Sequence, residues 1–285
     1  KAAEAMRLDT VSSLKSELEG YRKQLAKSYL TDREISDKLI EEAYQRSLIE
    51  VNASHILVRC DENANPVDSL AAYRKIMALR KRIEKGESFE KVAREASEDP
   101  SAKTNDGNIG WFSVFGTIYP FESAVYNLKP GELSAQPVRT EFGYHLVRLN
   151  NTRAARGQIR TAHLLIRFPD NATQADKDSA KAKINRIAQD IKSGKTTFEE
   201  AVRTFSDDKG TRVKGGELQW FGSGTSIKMV PEFEDAAFGL EKDGDISAPV
   251  QTQFGWHIIK RLERRDLQQF NEVKADFKKR VERDA

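Results

Sequence analysis

The chain holds four histidines, His55, His145, His163 and His257, and they fall into two pairs. His55 and His163 each stand in an apolar run, "NASHILVR" and "RTAHLLIR", while His145 and His257 stand in "FGYHLVRL" and "FGWHIIKRL". A lone strand histidine is most often a half-buried structural residue. A repeated pairing is a stronger signal, because two imidazoles on neighbouring strands can share one hydrogen-bond network with hydroxyl groups nearby. Thr140 and Thr252, close upstream of the second histidines, are such groups. A zinc site is the other chemistry open to these residues; it needs a further ligand in consistent register, and Asp99 and Asp208 are available for it.

The aromatic residues give a second signal. Each half of the chain has a Trp-Phe pair, then a phenylalanine (Phe121, Phe233), then Phe-Gly-aromatic-His. Such a set builds a core, or it lines an apolar groove that takes a proline ring or another hydrophobic side chain. Other chemistries lack their residues. Cys60 is the only cysteine, which rules out an internal disulfide and a multi-cysteine metal site. It has no counterpart in the second half, where Phe168 is nearby, and no G-x-S-x-G elbow occurs. The glycines are not spaced as G-x-G-x-x-G and no P-loop follows, so a nucleotide site is not expected. Gly107, Gly110, Gly215 and Gly216 are read instead as turn residues and points of close backbone approach.

The positioning elements repeat. His55 matches His163 at an offset of 108, Trp111 matches Trp220 at 109, and Phe121 and His145 match Phe233 and His257 at 112. A period near that length is a self-sufficient domain, not a solenoid repeat. Alternation and apolar runs predict strands at 53–59, 108–112 and 143–149, with helices over about 67–85, from Phe89 after a Ser88 cap, and at 121–127. The second copy predicts strands at 161–167, 217–221 and 255–262 and helices at 176–193, 197–205 and 232–239. Gly86 and Gly194 suit helix stops. Short strands mixed with helices indicate an α+β class, and the first and last strands of each copy are expected to be sheet neighbours.

The flanks differ. Apolar stripes run over 8–29, over a helix from Ile35 to Ile49 behind a Thr31–Glu34 capping box, and over 266–280 through Leu267, Phe270, Val273 and Phe277. They need a partner surface, in one helical module, in further sequence or in another subunit. No stretch approaches the ~18 apolar residues of a membrane span. The net charge of +3 is spread along the chain and gives no reason to expect nucleic acid. The chain starts at Lys1 with no leader following, which reads as a processed or trimmed product whose address has been removed.

The ordered blocks "ASHILV", "VAREASEDPSA", "DGNIGWF" and "PFESAVYNLKPGELSAQPVRTEFGYHLVRL", and their second set "TAHLLI", "KGGELQWF" and "MVPEFEDAAFGLEKDGDISAPVQTQFGWHIIKRL", resemble the parvulin-type peptidyl-prolyl isomerase domain over about 51–150 and 158–264. Tandem parvulin-like domains with helical flanks resemble periplasmic folding factors of the SurA type. The resemblance implies two domains, each a four-stranded antiparallel sheet wrapped by helices, within boundaries of 1–50, 51–152, 157–264 and 265–285. It implies no cofactor, a periplasmic or envelope location, and proline-containing unfolded or nascent envelope polypeptides as partners. The family's active-site histidines fall on His55 and His145 and on His163 and His257. Its variable cysteine-or-aspartate position falls on Asp99 and Asp208. Its substrate pocket falls on Ile109, Phe121, Thr140 and Phe142 in the first copy and on Leu218, Met229, Phe233, Thr252 and Phe254 in the second. The pocket methionine is Met229 in the second copy, whereas the first has Thr117, a departure from the family.

On that resemblance catalysis requires no covalent step. Amide resonance sets a barrier of about 18–20 kcal/mol to rotation, and a site that binds the twisted bond better than either planar form lowers it. The expected function is an isomerase that also works as a chaperone, with the second domain the more active. The alternative is a non-catalytic peptide-binding chaperone or scaffold.

Overall fold

A computed structural model describes residues 33–225 and 227–284. They divide into two compact units, one of residues 33–45 with 270–284 and one of residues 46–269. The first unit holds most of helix α1 (Arg33–Ser47) and helix α10 (Phe270–Asp284). Within it the Tyr44 and Phe270 rings lie 5.1 Å apart and Lys274 reaches Asp37 at 3.8 Å. The 8–29 stripe and the Thr31 cap lie outside the described residues.

The second unit contains the repeat. Its first half runs β1 (Ile49–Arg59), α2 (Pro66–Glu84), α3 (Phe89–Ala96), α4 (Ala102–Asn105), β2 (Asn108–Phe112), α5 (Tyr119–Tyr126), β3 (Val138–Thr140) and β4 (Gly143–Ala154). Its second half runs β5 (Gln158–Arg167), α6 (Gln174–Lys192), α7 (Phe198–Phe205), α8 (Lys209–Arg212), β6 (Phe221–Gly222), α9 (Pro231–Phe238), β7 (Val250–Thr252) and β8 (Gly255–Arg265). Each half forms one four-stranded antiparallel sheet, in the orders β2-β1-β4-β3 and β6-β5-β8-β7. The two histidine-bearing strands are therefore adjacent and central, as their apolar runs require.

Local sequence sets the helix starts. Asn65 accepts from the Val67 and Asp68 amides ahead of α2, with Pro66 in the first turn, where its missing N–H costs nothing. Ser88 caps α3, and Thr173 and Thr197 close reciprocal capping boxes on α6 and α7. Each sheet is then covered on both faces. In the first half Ile56, Val58 and Leu146 pack with Ile76 and Leu79 of α2 and Phe89 and Val92 of α3. On the opposite face Val51, Ala53, Val147 and Leu149 pack with Phe121 and Val125 of α5. In the second half Leu164, Ile166, Ile184 and Phe198 repeat the first cluster, while Ile159, Phe221, Phe233 and Ile259 repeat the second.

Several predicted extents differ. β1 starts at Ile49, where the sequence predicts the end of a helix, and β4 continues to Ala154. The extra residues pair with each other from Ile49↔Ala154 onward, past a one-residue register shift at Asn52/Ala53. Of the predicted 217–221 strand only Phe221 is kept, in β6 (Phe221–Gly222). Ala162 bridges Glu217, but Ile159 pairs Phe221, so the register slips by one residue between them and breaks the ladder. The C-terminal helix begins at Phe270, not at 266.

Candidate functional site

Strand register brings each histidine pair together. His55 lies opposite Val147 and His145 opposite Leu57, so the two imidazoles are diagonal neighbours on the face that packs against α5. His163 lies opposite Ile259 and His257 opposite Leu165, the same relation. The rings stack at 5.3 Å in the first half and 5.5 Å in the second. All four histidines are buried.

Every ring nitrogen has a partner or a donor beside it. In the first half Thr140 Oγ1 to His145 Nε2 is 2.8 Å, His145 Nδ1 to His55 Nδ1 is 3.1 Å, and His55 Nε2 to Asp99 Oδ2 is 2.7 Å. In the second half the distances for Thr252, His257, His163 and Asp208 are 2.9, 3.2 and 2.8 Å. An ionised carboxylate only accepts, so the ring nitrogen next to it carries the proton. With both rings neutral the direction of the chain follows. His55 Nε2 donates to Asp99, His145 Nδ1 donates to His55 Nδ1, and the Thr140 hydroxyl donates to His145 Nε2. The threonine oxygen then accepts from the amide two residues on, from Phe142 at 3.2 Å and from Phe254 at 3.1 Å.

The electrostatics favour the neutral form of His145, His163 and His257. Burial, with the neighbouring histidine, pushes both His145 and His257 down to about 3, and burial also lowers His163. Burial alone would raise the two carboxyls. Donors outweigh it and hold both below the ordinary aspartate value: the Ser101 amide and hydroxyl and His55 at Asp99, and Thr211, His163 and the Gly210 amide at Asp208. The aspartates are half-buried, and each is the least buried member of its chain.

The residues expected to form the pocket divide into a buried set and an exposed pair. Phe121 meets His55 and His145 edge-on at 5.5 and 5.4 Å, and Phe233 meets His163 and His257 at 5.8 and 5.3 Å. Leu218, Ile227, Met229 and Val230 pack around Phe233, and Ile109 and Ile118 around Phe121. Ile118 caps the N-terminus of α5 as Val230 caps α9, so it is the counterpart of Val230 and does not replace Met229. Thr117 is half-buried, and its hydroxyl oxygen is buried without a hydrogen-bond partner. Phe142 and Phe254 stand 56% and 48% exposed, outside both apolar clusters, where they can form only the rim of a groove.

Sequence reasoning missed several residues at this site. Thr211 donates to Asp208 Oδ2 at 2.5 Å and lies 3.4 Å from His163 Nε2; Ser101 donates to Asp99 Oδ1 at 3.0 Å. A hydroxyl two or three residues after each aspartate was the available signal. The glutamate after each wall phenylalanine is also used. Buried Glu122 takes Arg46 at 3.1 Å, and Glu234 takes Arg153 at 2.6 Å. Gly107 and Gly216, read as close-approach positions, are that: their carbonyls accept from the His55 and His163 amides, both at 2.9 Å.

A duplicated antiparallel sheet with a buried histidine pair, a carboxylate at its mouth and an aromatic wall is the parvulin architecture. The model of the rotamase family, the PpiC-type peptidyl-prolyl isomerase domain, matches residues 55–151 and again 163–263, and the chain belongs to that family. It is 33% identical over 233 residues to the chaperone SurA of Photorhabdus laumondii, covering 80% of this chain and 52% of the relative. It is 33% identical over 232 residues to the chaperone SurA of Escherichia coli O157:H7, with the same coverage of 80% and 52%. The chain thus spans about half the length of the curated relatives it matches. The crystal structure of the peptidylprolyl isomerase PrsA from Bacillus anthracis aligns at 36% identity over 44% of this chain and 50% of its own, with a TM-score of 0.32.

Proposed function

We propose that the chain is a peptidyl-prolyl cis-trans isomerase and extracytoplasmic folding chaperone for proline-containing unfolded polypeptides, with the second domain the more active. The observation that carries this reading is the contiguity of Asp208, His163 and Phe233. A half-exposed carboxylate, a buried neutral imidazole and an apolar wall follow one another in contact. Met229 and Phe233 hold the proline ring, with Phe254 at the rim. The carbonyl before the proline then rotates beside Asp208, away from the water that favours the charge-separated planar amide. Asp208 is the group that faces the bond. His163, His257 and Thr252 are positioning residues that hold it ionised and oriented.

The first domain has the same polar chain behind a different wall. Thr117 offers less apolar area than Met229, and its hydroxyl is already without a partner. On this reading the first domain binds chains and turns them over slowly, which joins chaperone and isomerase in one molecule. The test is kcat/KM for an Ala-Pro peptide on the whole chain and on two variants. Met229→Thr should lose about 1–2 kcal/mol of transition-state binding by lost apolar area, or roughly tenfold in rate. Thr117→Met should raise the rate. An unchanged rate in Met229→Thr refutes the assignment of the active pocket, and no turnover by any form refutes the isomerase reading.

A further inference from the structure

One apolar residue of each candidate proline pocket, Ile109 and Met229, lines a single cavity. It measures about 380 Å³ and lies between the two domains; Ile109 and Trp111 line it from the first, Met229 and Pro231 from the second. Ile109 packs in the cluster around Phe121, and Met229 in the cluster around Phe233, so each pocket wall has a second side in this cavity. Asn105 and Asn108 form part of its lining. Their oxygens accept from the Gly107 and Gly110 amides at 2.9 and 2.7 Å, so they offer a peptide backbone N–H donors, and Arg153, Lys228 and Glu234 complete the polar lining.

The two walls are held together by bonds between the domains. Arg153 at the end of β4 binds Glu50 and Glu234, both at 2.6 Å, and its guanidinium lies 4.2 Å over the Trp111 ring. Ser223 donates to Glu50 at 2.7 Å, and Lys228, next to Met229, donates to the Trp111 carbonyl. The cavity is therefore a built feature of the domain pair.

We infer that this cavity is a polypeptide channel joining the two proline sites, so that one unfolded chain with two prolines engages both domains at once. The inference rests on the proposed function for the identity of the pockets. Apolar ends take the proline rings, and the carboxamide-lined middle takes the backbone between them. The gain is one of effective concentration, since the second proline binds from a chain already held.

The test is the affinity of labelled peptides for the whole chain, measured by fluorescence anisotropy. One peptide has a single proline; the others have two, separated by increasing numbers of residues, each adding at most about 3.3–3.6 Å of reach. At the best spacing the two-proline peptide should bind at least about tenfold more tightly, toward the lower end of linked binding. Asn108→Trp and Asn108→Phe, which fill the channel outside both pockets, should each abolish that gain and leave single-proline isomerisation unchanged. Absence of a gain at every spacing overturns the channel, and so does a gain that survives both substitutions. A self-associating chain whose dimer is lost with Asn108→Trp would assign the cavity to a second copy, and would also overturn it. A gain that is present without single-proline turnover supports the channel and defeats the isomerase reading alone.

Discussion

The two isomerase-type domains carry one polar chain in two different settings. The three hydrogen bonds from threonine to aspartate are 2.8, 3.1 and 2.7 Å in the first and 2.9, 3.2 and 2.8 Å in the second. The loops beside them diverge. In the first, the segment between β2 and α5 is held internally: the Phe115 amide donates to Glu122 at 2.8 Å, and Glu122 is buried against Arg46. In the second, the longer segment between β6 and α9 is held internally by Thr225 on the Gly222 and Ile227 carbonyls and also from outside, by Lys228 on the first domain's Trp111 carbonyl. The sheet thus fixes the polar chain by register, while the wall of the pocket is free to vary with its loop. The domains should therefore respond alike to changes in the sheet and unlike to changes in the loops.

The largest expected effect lies in the sheet. Gly107 and Gly216 have φ of +79° and +81°, and a Cβ there would come within 2.5 and 2.2 Å of the His55 and His163 carbonyl oxygens. Those oxygens belong to central strands and cannot move aside. Alanine at either position should cost about 2–4 kcal/mol, the sum of backbone strain and steric displacement. Hydrogen exchange resolved over β1 and β5 in the whole chain reads each domain separately. Equal loss of protection sharpens the parallel; a domain that tolerates the alanine breaks it.

Much of this was legible in the residues. The period, the α+β class, the adjacency of the histidine strands and the histidine–threonine partnership all follow from side chains that repeat at fixed positions. What was not legible depends on register. The Asn52/Ala53 shift lets β1 and β4 run on to Ile49 and Ala154, and the slip between Ala162 and Ile159 shortens β6. A one-residue slip leaves the composition of a strand unchanged, so no pattern of apolar residues announces it. The exposure of Phe142 and Phe254 was hidden for a related reason: an aromatic in a tight turn looks like a core residue until the turn's direction is known. The bonds of Arg153 to Glu50 and Glu234 join parts of the chain far apart in sequence, and local spacing carries no trace of them.

Acid should affect both domains by a smaller amount. His145 and His257 are held neutral, near pKa 3, against about 6.5 in an unfolded chain. Below pH 6.5 the unfolded chain takes up protons that the native rings refuse, so stability falls as pH falls, and the fall continues to about pH 3. The slope is about 1.4 kcal/mol per pH unit for each such histidine. Between pH 6.5 and 5 that amounts to about 2 kcal/mol in each domain. The lowered His163 acts in the same direction; the lowered Asp99 and Asp208 add their loss only below about pH 4, where an unfolded aspartate titrates. Urea unfolding at pH 7.5, 6 and 5 measures this. A flat profile would show that these rings titrate in the native chain as they do in the unfolded one, and would overturn their assignment as neutral below pH 6.5.

The smallest effect separates the domains at their carboxylates. In the second domain Thr211 donates to Asp208 Oδ2, the same oxygen that accepts from His163. In the first domain Ser101 donates to Asp99 Oδ1, the oxygen that His55 does not use, and Ala102 stands at the position matching Thr211. Removing a donor from an ionised carboxylate destabilises the charged form, so Thr211→Ala should raise the Asp208 pKa, and Ser101→Ala should raise that of Asp99. The consequences for the rings differ. Without Thr211, His163 is the only side-chain donor left on Oδ2 among the described hydrogen bonds, so its bond shortens and its ring is oriented by one contact instead of two. Without Ser101, the His55 bond keeps its oxygen to itself, as before. Side-chain carboxyl titration by NMR should show both aspartates moving up. The ring protons of His163 should shift in Thr211→Ala, and those of His55 should stay in place in Ser101→Ala. Turnover of an Ala-Pro peptide should fall about two- to threefold in Thr211→Ala, the range for one hydrogen bond worth about 0.5 kcal/mol net. It should fall chiefly on the acid side, where the raised Asp208 pKa removes the ionised form. If Ser101→Ala slows turnover as much as Thr211→Ala does, the first domain contributes to catalysis as strongly as the second, and the asymmetry drawn from Met229 and Thr117 is wrong.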